Sequence, residues 1–515
     1  MKPVNQNDTC AAIVALQARA EARISRKGRP SKYRHSATRQ RPGAPPQPEM
    51  ETENGTDHMN RHDLLTDAHD RALKYISEAQ TRRVFPDDRA LAGLSAFDER
   101  LPDTGTEAAD TLALLDKVGS PATVTSNGPN YYGFVVGGTL PVAQAADWLA
   151  SAWDQSATVP LSGPAAHAIE TVAGRWILDV LDLPRDAITN FGTTSGASAV
   201  ACLAAARGRL LGRAGWDVER GGLTGAPQLR VIVSERIHVT VIKALRLLGF
   251  GQDQLVRAPV DSSGRVDPER LPTMDRRTIL CLQAGEVNTG EFDPFDRLVP
   301  RAKAAGAWVH VDGAFGLWAR ATRARKHLTE GIEGADSWTV DGHKWLNTPY
   351  EGAVAICRDG EALYAAMNAD ASYAPSNIDA PANKGLEFSR RARGIPIWAA
   401  LRTLGRDGID DMMTRHCELA RHLASELRAN GFEILNSVAL NQVLARLDSD
   451  DKTRALIKAA VGSGKVWFGP SSWEGRAAFR ISVTNWQTRE EHIQGLVQVL
   501  KAAKARVDDA MVSPR

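Results

Sequence analysis

The sequence predicts an α/β protein: a mostly parallel sheet covered by helices on both faces, an N-terminal helical segment before it and a smaller C-terminal α/β unit after it. Three observations predict it. From residue 229 onward, short apolar runs alternate with helical stretches. Those runs are continuously apolar, which marks strands buried on both faces. At 515 residues the chain also exceeds what one hydrophobic core serves.

Met59 opens the regular part of the chain. In "RHDLLTDAHDRALKYISEA", Leu64, Leu65, Ala68, Ala72 and Ile76 recur at helical spacing. Residues 107–118, 141–153 and 165–183 continue the helical character. The runs 229–235, 278–285, 308–315, 336–344 and 352–358 read as strands, with helices over 238–249 and 295–306 between them. Beyond residue 399, a helix over 408–430 leads to strands near 431–436 and 440–447. A helix, "KVWFG", "AFRISVTN" and a last helix over 488–504 complete the chain. The expected division is an extension (1–58), an N-terminal helical segment (59–130), a large domain (131–398) and a small C-terminal domain (399–515).

Composition removes several function classes. A formal net charge of +2 offers no global attraction for nucleic acid or an anionic membrane. The five cysteines (Cys10, Cys202, Cys281, Cys357, Cys417) are scattered and form no CxxC pair. That argues against a disulfide framework or a zinc site and fits a reducing cytoplasm. No apolar run reaches the roughly 20 residues of a membrane-spanning helix. Residues 23–55 are basic, then proline-rich, with few apolar side chains, and such a composition cannot offset its ordering entropy. Three readings of that stretch stay open: a dispensable extension with Met59 as the true start, a transit peptide, or a nucleic-acid contact through "RKGRPSK".

In a sheet of this kind, ligands bind outside the carboxyl ends of the strands. "GTTSGASAVACLAAARGRLLG" (192–212) opens with small hydroxylated residues and becomes an alanine-rich helix. Its free N–H groups and dipole suit an anion, with Thr194 and Ser195 adding hydroxyls. "WVHVDGAFG" puts Asp312 at one strand end, and "DGHKW" puts Lys344 at the next. Each alone reads as a cap or a solvated strand end. Together, an anion-binding helix start, a carboxylate and an amine match one cofactor with a phosphate, a ring nitrogen and an aldehyde, namely pyridoxal phosphate.

With "HVDGAFG" and "DSWTVDGHKWLN" in this order, the stretch from about 60 to 500 resembles the group II pyridoxal-phosphate-dependent amino-acid decarboxylases of fold type I. The resemblance implies a seven-stranded, mostly parallel sheet. It makes Lys344 the residue that forms the Schiff base, Asp312 the partner of the pyridine nitrogen and Ala314 the residue under the ring. It stacks His238 of "SERIHVTVIKALRLLG" on the ring. Thr194, Ser195 and Gly196 take the phosphate, with His343 and Asp341 near the phosphate or Schiff base. Arg480 of "AFRISVTN" would meet the substrate carboxylate, and Tyr131 and Phe134 of "GPNYYGFVVGGTLP" would line the substrate pocket.

A tyrosine on a loop, here Tyr373 in "MNADASYAPSN", would protonate Cα after carbon dioxide leaves, which favours an amine over an aldehyde product. The chain departs from the family where Glu286 and Val287 replace two threonines, and Asn288 or Thr289 are the candidates to replace their contact. The expected activity is decarboxylation of an L-amino acid, most simply an aromatic one, by a cytoplasmic homodimer. The rivals are other fold type I chemistry (acidic amino-acid decarboxylase, aldehyde synthase, aldol-type lyase or aminotransferase) and a non-catalytic regulator.

Overall fold

The computed structural model describes residues 60–369 and 379–512. The expectations for the 1–58 extension and for Tyr373 lie outside the described residues. The described residues from Asn60 onward form one compact unit, and none of its described helices is long and apolar enough to cross a membrane.

Helix α1 (Arg61–Glu78) is capped by Asn60, whose side chain accepts from Asp63 N at 3.1 Å. Helix α2 (Pro141–Trp153) and helix α3 (Pro164–Val180) both begin with proline at the first turn, where its missing N–H costs nothing. The expected helix over 107–118 is shorter, Ala108–Leu114, and passes into a π-helical turn over Leu115–Gly119.

The large sheet has seven strands in the order β1-β7-β6-β5-β4-β2-β3: β1 (Ile188–Gly192), β2 (Arg230–Ser234), β3 (Val256–Ala258), β4 (Thr278–Gln283), β5 (Trp308–Asp312), β6 (Ser337–Asp341) and β7 (Ala353–Cys357). Neighbours β3, β2, β4, β5 and β6 run parallel, whereas β7 is antiparallel to both β6 and β1. The reason is connection length. A parallel return needs a crossover of a dozen or more residues, usually a helix. The stretch 342–352 has room only for a turn, so the chain folds straight back. That turn carries Lys344.

Helices α4 (Ser195–Arg213), α5 (Val239–Leu247), α6 (Phe295–Ala304) and α7 (Gly360–Met367) belong to this part of the fold. Helix α8 (Gly394–Ala429) starts earlier than the sequence suggests and is broken at Gly405, whose φ of 61° interrupts it. A buried ion pair anchors its start: Arg390 donates to both Glu170 oxygens at 2.8 and 2.7 Å, and Gly394 N meets Glu170 Oε1 at 3.0 Å. A second, antiparallel sheet follows in the order β10-β11-β9-β8. Its strands are β8 (Glu433–Ile434), β9 (Gln442–Arg446), β10 (Gly469–Trp473) and β11 (Arg476–Ser482), with helices α9 (Asp450–Gly462) and α10 (Glu490–Val512).

The core explains the tryptophan-rich motif. Trp318, Trp338 and Trp345 are fully buried. Their indole N–H groups donate to Asp341 O, Ile332 O and His416 Nδ1, each at 3.0 Å. Burying one indole removes about 200 Å² from water, roughly 5 kcal/mol before ordering entropy is counted. His416 and His310 are also fully buried, and burial pushes both down to about 3, so their imidazoles are neutral at physiological pH.

Candidate active site

Strands β1, β2, β5 and β6 all point their carboxyl ends to one edge of the sheet, because β1 and β6 are each antiparallel to β7. The expected site residues follow those ends. Thr194 caps α4, its hydroxyl accepting from Ala197 N at 3.2 Å. Among the described residues no protein acceptor meets Gly196 N–H or the Ser195 hydroxyl. These unclaimed donors at a helix start form an anion cradle. Part of that start is already occupied: Ser195 N donates to Asp341 Oδ1 at 2.8 Å and Thr193 N to Glu387 Oε1 at 3.0 Å.

Asp341 links the cradle to the amine. It is fully buried, and its Oδ2 lies 3.1 Å from Lys344 Nζ. The Lys344 side chain keeps 20% exposure in a segment that is otherwise buried, which leaves its amine open to a reactant. His343 is 4% exposed, with Nδ1 2.9 Å from the Gly352 carbonyl oxygen and its ring against Tyr350 at 4.4 Å. Burial holds His343 below its ordinary value. Tyr350 is 59% exposed overall, yet desolvation around its hydroxyl and then the Asp341 charge push it up to about 12.

Asp312 is 7% exposed at the end of β5, with Oδ1 accepting from Ala314 N at 3.1 Å. His238 sits beyond β2 and is held at both ends: its N–H donates to Gln283 Oε1 at 2.9 Å, and Nδ1 lies 2.7 Å from Thr240 Oγ1. Thr240 N–H also reaches Nδ1, at 3.4 Å, so Nδ1 accepts and the neutral ring carries its proton on Nε2. Burial keeps His238 below its ordinary value, against the pull of the Asp312 carboxylate; Lys344 and Arg480 push the same way as burial. His238, Asp312, Asp341, Lys344 and Arg480 therefore share one electrostatic neighbourhood.

Arg480, on β11, donates through Nη1 to the Val287 carbonyl. The Glu286–Val287 departure has a clear structural outcome. Glu286 is 3% exposed and turns its carboxylate onto its own loop, accepting from Asn288 N and Thr289 N, both at 2.7 Å, and from Thr289 Oγ1 at 3.1 Å. Asn288 Oδ1 accepts from Ser471 at 2.6 Å. The Thr289 hydroxyl is thus engaged inside the loop, whereas the Asn288 side chain turns to Ser471 of the second sheet.

Tyr131 is buried and stacks on Trp467 at 5.0 Å and 9°, with Arg480 and Tyr350 in its electrostatic surroundings. Phe134 is 59% exposed and tilts onto the same indole at 5.1 Å. Sequence reading missed Trp467, Tyr350, Gln283 and Glu387. Tyr350, six residues beyond Lys344, carried a local signal. The others meet their partners only across the folded chain.

These residues fit pyridoxal phosphate: the cradle offers donors suited to a phosphate, the buried Asp312 carboxylate is of the kind that could hold a protonated ring nitrogen, and the half-open amine can form an imine. Comparison with known proteins agrees. A model of the pyridoxal-dependent decarboxylase conserved domain matches residues 93–448. The chain is 24% identical over 439 residues to an aromatic-L-amino-acid decarboxylase of Bacillus atrophaeus, covering 81% of this chain and 88% of that protein. It is 26% identical over 443 residues to the L-2,4-diaminobutyrate decarboxylase of Rhizobium meliloti (strain 1021), covering 80% and 85%. The crystal structure of Oryza sativa TDC with PLP and tryptamine superposes with a TM-score of 0.80 at 22% identity, over 88% of this chain and 99% of that one. The strand-end lysine, carboxylate and helix start thus belong to a pyridoxal-phosphate-dependent amino-acid decarboxylase, and the chain is a member of the pyridoxal-dependent decarboxylase family.

Proposed function

We propose that the protein decarboxylates an aromatic L-amino acid to its amine and carbon dioxide. The observation that carries the aromatic reading is the wall formed by Tyr131, Phe134 and Trp467 beside Arg480. When bound, the cofactor supplies an electron sink for the charge left on Cα as carbon dioxide departs. The chain's own residues do the rest. Lys344 would hold the cofactor covalently and yield that bond to the substrate amine. Asp312 would keep the ring nitrogen protonated, and Ala314 and His238 would pack against the ring. Thr194, Ser195 and Gly196 would take the phosphate, with His343 beside them. Arg480 would bind the substrate carboxylate and set its angle to the ring, which selects decarboxylation over the cofactor's other reactions.

Tyr373, outside the described residues, would deliver a proton to Cα. Tyr373→Phe is expected to divert most product from amine to aldehyde in the presence of oxygen. An unchanged amine yield would remove that role from Tyr373. The reaction itself is tested by mass spectrometry of products from a panel of L-amino acids. An aromatic amine supports the reading; a non-aromatic amine overturns the substrate class, and an aldehyde, a keto acid or no product overturns the reaction.

We further propose a homodimer. Helix α1 and the short helices that follow it up to Ala122 bury no residue fully. Leu65, Leu101 and Leu115 stand 61, 86 and 59% exposed. So much uncovered apolar surface marks an interface. Sedimentation of the cofactor-loaded protein is expected to show two 55.7 kDa chains, and a stable monomer would count against it. A cytoplasmic location is proposed from four buried free thiols, Cys202, Cys281, Cys357 and Cys417. Co-fractionation with an exported marker would contradict that placement.

A further inference from the structure

Lys344 and Arg480 come from different sheets, yet the reaction requires them at a set separation across one substrate. The polypeptide between the two sheets is long, so covalent connection does not set that separation. A buried joint does. Asn347, three residues beyond Lys344, is fully buried with φ at 59°, in the left-handed region that asparagine tolerates better than most residues. Its Nδ2 donates to Trp345 O at 2.9 Å and to Thr484 O at 3.0 Å. Its Oδ1 accepts from Trp486 N at 2.8 Å, and its carbonyl accepts from Leu140 N at 2.8 Å.

A second tie runs parallel to the first. Trp345, next to Lys344, donates its indole N–H to His416 Nδ1 at 3.0 Å, and His416 Nε2 lies 2.9 Å from the Asn485 carbonyl oxygen, as donor to it. Thr484, Asn485 and Trp486 directly continue β11, which carries Arg480. The third side is closed by glycine backbone. A Cβ on Gly137 would stand 2.2 Å from Lys344 O and 2.6 Å from Asn347 Nδ2, and one on Gly138 would stand 2.4 Å from Asn485 Nδ2. The segments 137–140, 344–347 and 482–486 therefore interlock too closely at Gly137 and Gly138 for a side chain there.

We propose that Asn347 is a positioning residue that fixes the Lys344 turn against the Arg480 strand, so that amine and guanidinium address one substrate together. Asn347 lies only three positions beyond Lys344, and Thr484 only four beyond Arg480. With lever arms that short, loosening the joint moves both groups. The inference rests on the roles given above to Lys344 and Arg480.

The test is Asn347→Gly, which keeps the left-handed backbone and deletes only the side-chain bonds. The holoenzyme variant is expected to show a KM for the amino acid raised at least tenfold. The inhibition constant of the product amine, which has no carboxylate to meet Arg480, should change less than twofold. The visible circular dichroism of the bound cofactor, which reports how the ring is held, should change as well. A residue that merely stabilises the fold would lower the melting temperature and leave all three readings at their wild-type values at temperatures well below it; that result overturns the inference. Equal weakening of acid and amine overturns it too. Should Asn347→Gly not fold, Trp345→Phe removes the indole N–H of the second tie together with part of a fully buried ring; it is expected to shift KM about threefold in the same direction with the product-amine inhibition constant changed less than twofold, and an unshifted KM there also overturns the inference. Arg480→Met separates the two levels. If that variant leaves KM unchanged, the assignment of Arg480 fails; if it raises KM while Asn347→Gly and Trp345→Phe do not, only the joint fails.

Discussion

Lys344→Ala is expected to abolish decarboxylation, lowering kcat/KM by more than about 10³-fold, roughly 4 kcal/mol of transition-state stabilisation. The side chain supplies the amine that forms and releases the covalent link, and no other lysine is found beside Asp312 and His238 in the described site. Asp341 sharpens the expectation. It is fully buried and loses its countercharge at 3.1 Å, so the variant should also be less stable. Two measurements keep these effects apart. Borohydride should fix the cofactor to the wild-type chain and not to the variant, while far-ultraviolet circular dichroism should show both folded. Lys344→Arg should not rescue, because a guanidinium keeps the charge but is no nucleophile. Turnover above about 1% of wild type in the folded alanine variant would show that another group does the work.

Asp312→Asn is expected to lower kcat by about 10²- to 10³-fold, a loss comparable with removing one preorganised electrostatic partner at a reacting centre. The substitution preserves volume and can still accept from Ala314 N. What it removes is the negative charge beyond β5 that would keep a ring nitrogen protonated, and without that proton the ring withdraws electrons poorly. Because Asp312 is almost wholly buried, no water replaces the lost charge. The test is kcat at saturating cofactor, alongside the cofactor dissociation constant of the apoprotein. A variant within about threefold of wild type in both would exclude the carboxylate from the role.

Both predictions concern residues that are legible in the sequence, and the reason is local. A continuous apolar run ending in Asp or in HisLys states that a buried strand delivers a polar group to its end, and the order of such runs states the sheet. Less was legible where local pattern was weak. Strand β1, "ITNFG", is short and half polar, and β3 has only three residues at the sheet edge, so neither reads as a strand from periodicity. Helix α8 begins well before the expected 408, because the buried Arg390–Glu170 pair holds a first turn that contains Gly394 and Pro396.

The site divides in the same way. Lys344, Asp341 and His343 lie within one turn, and Thr194, Ser195 and Gly196 within one helix start, so their cooperation is written in short segments of chain. Trp467 against Tyr131, Glu387 on Thr193 N, and His416 under Trp345 pair residues far apart in the sequence. The bonds that Arg480 and Ser471 bring from the second sheet to Val287 and Asn288 do the same for the loop of Glu286. Local hydrogen-bonding and hydrophobic periodicity therefore determined, from sequence alone, the strand order's raw material and the chemistry at each strand end. Only tertiary packing decided which distant side chains close the pocket and which buried amides lock it, because those contacts depend on how two separately formed sheets meet.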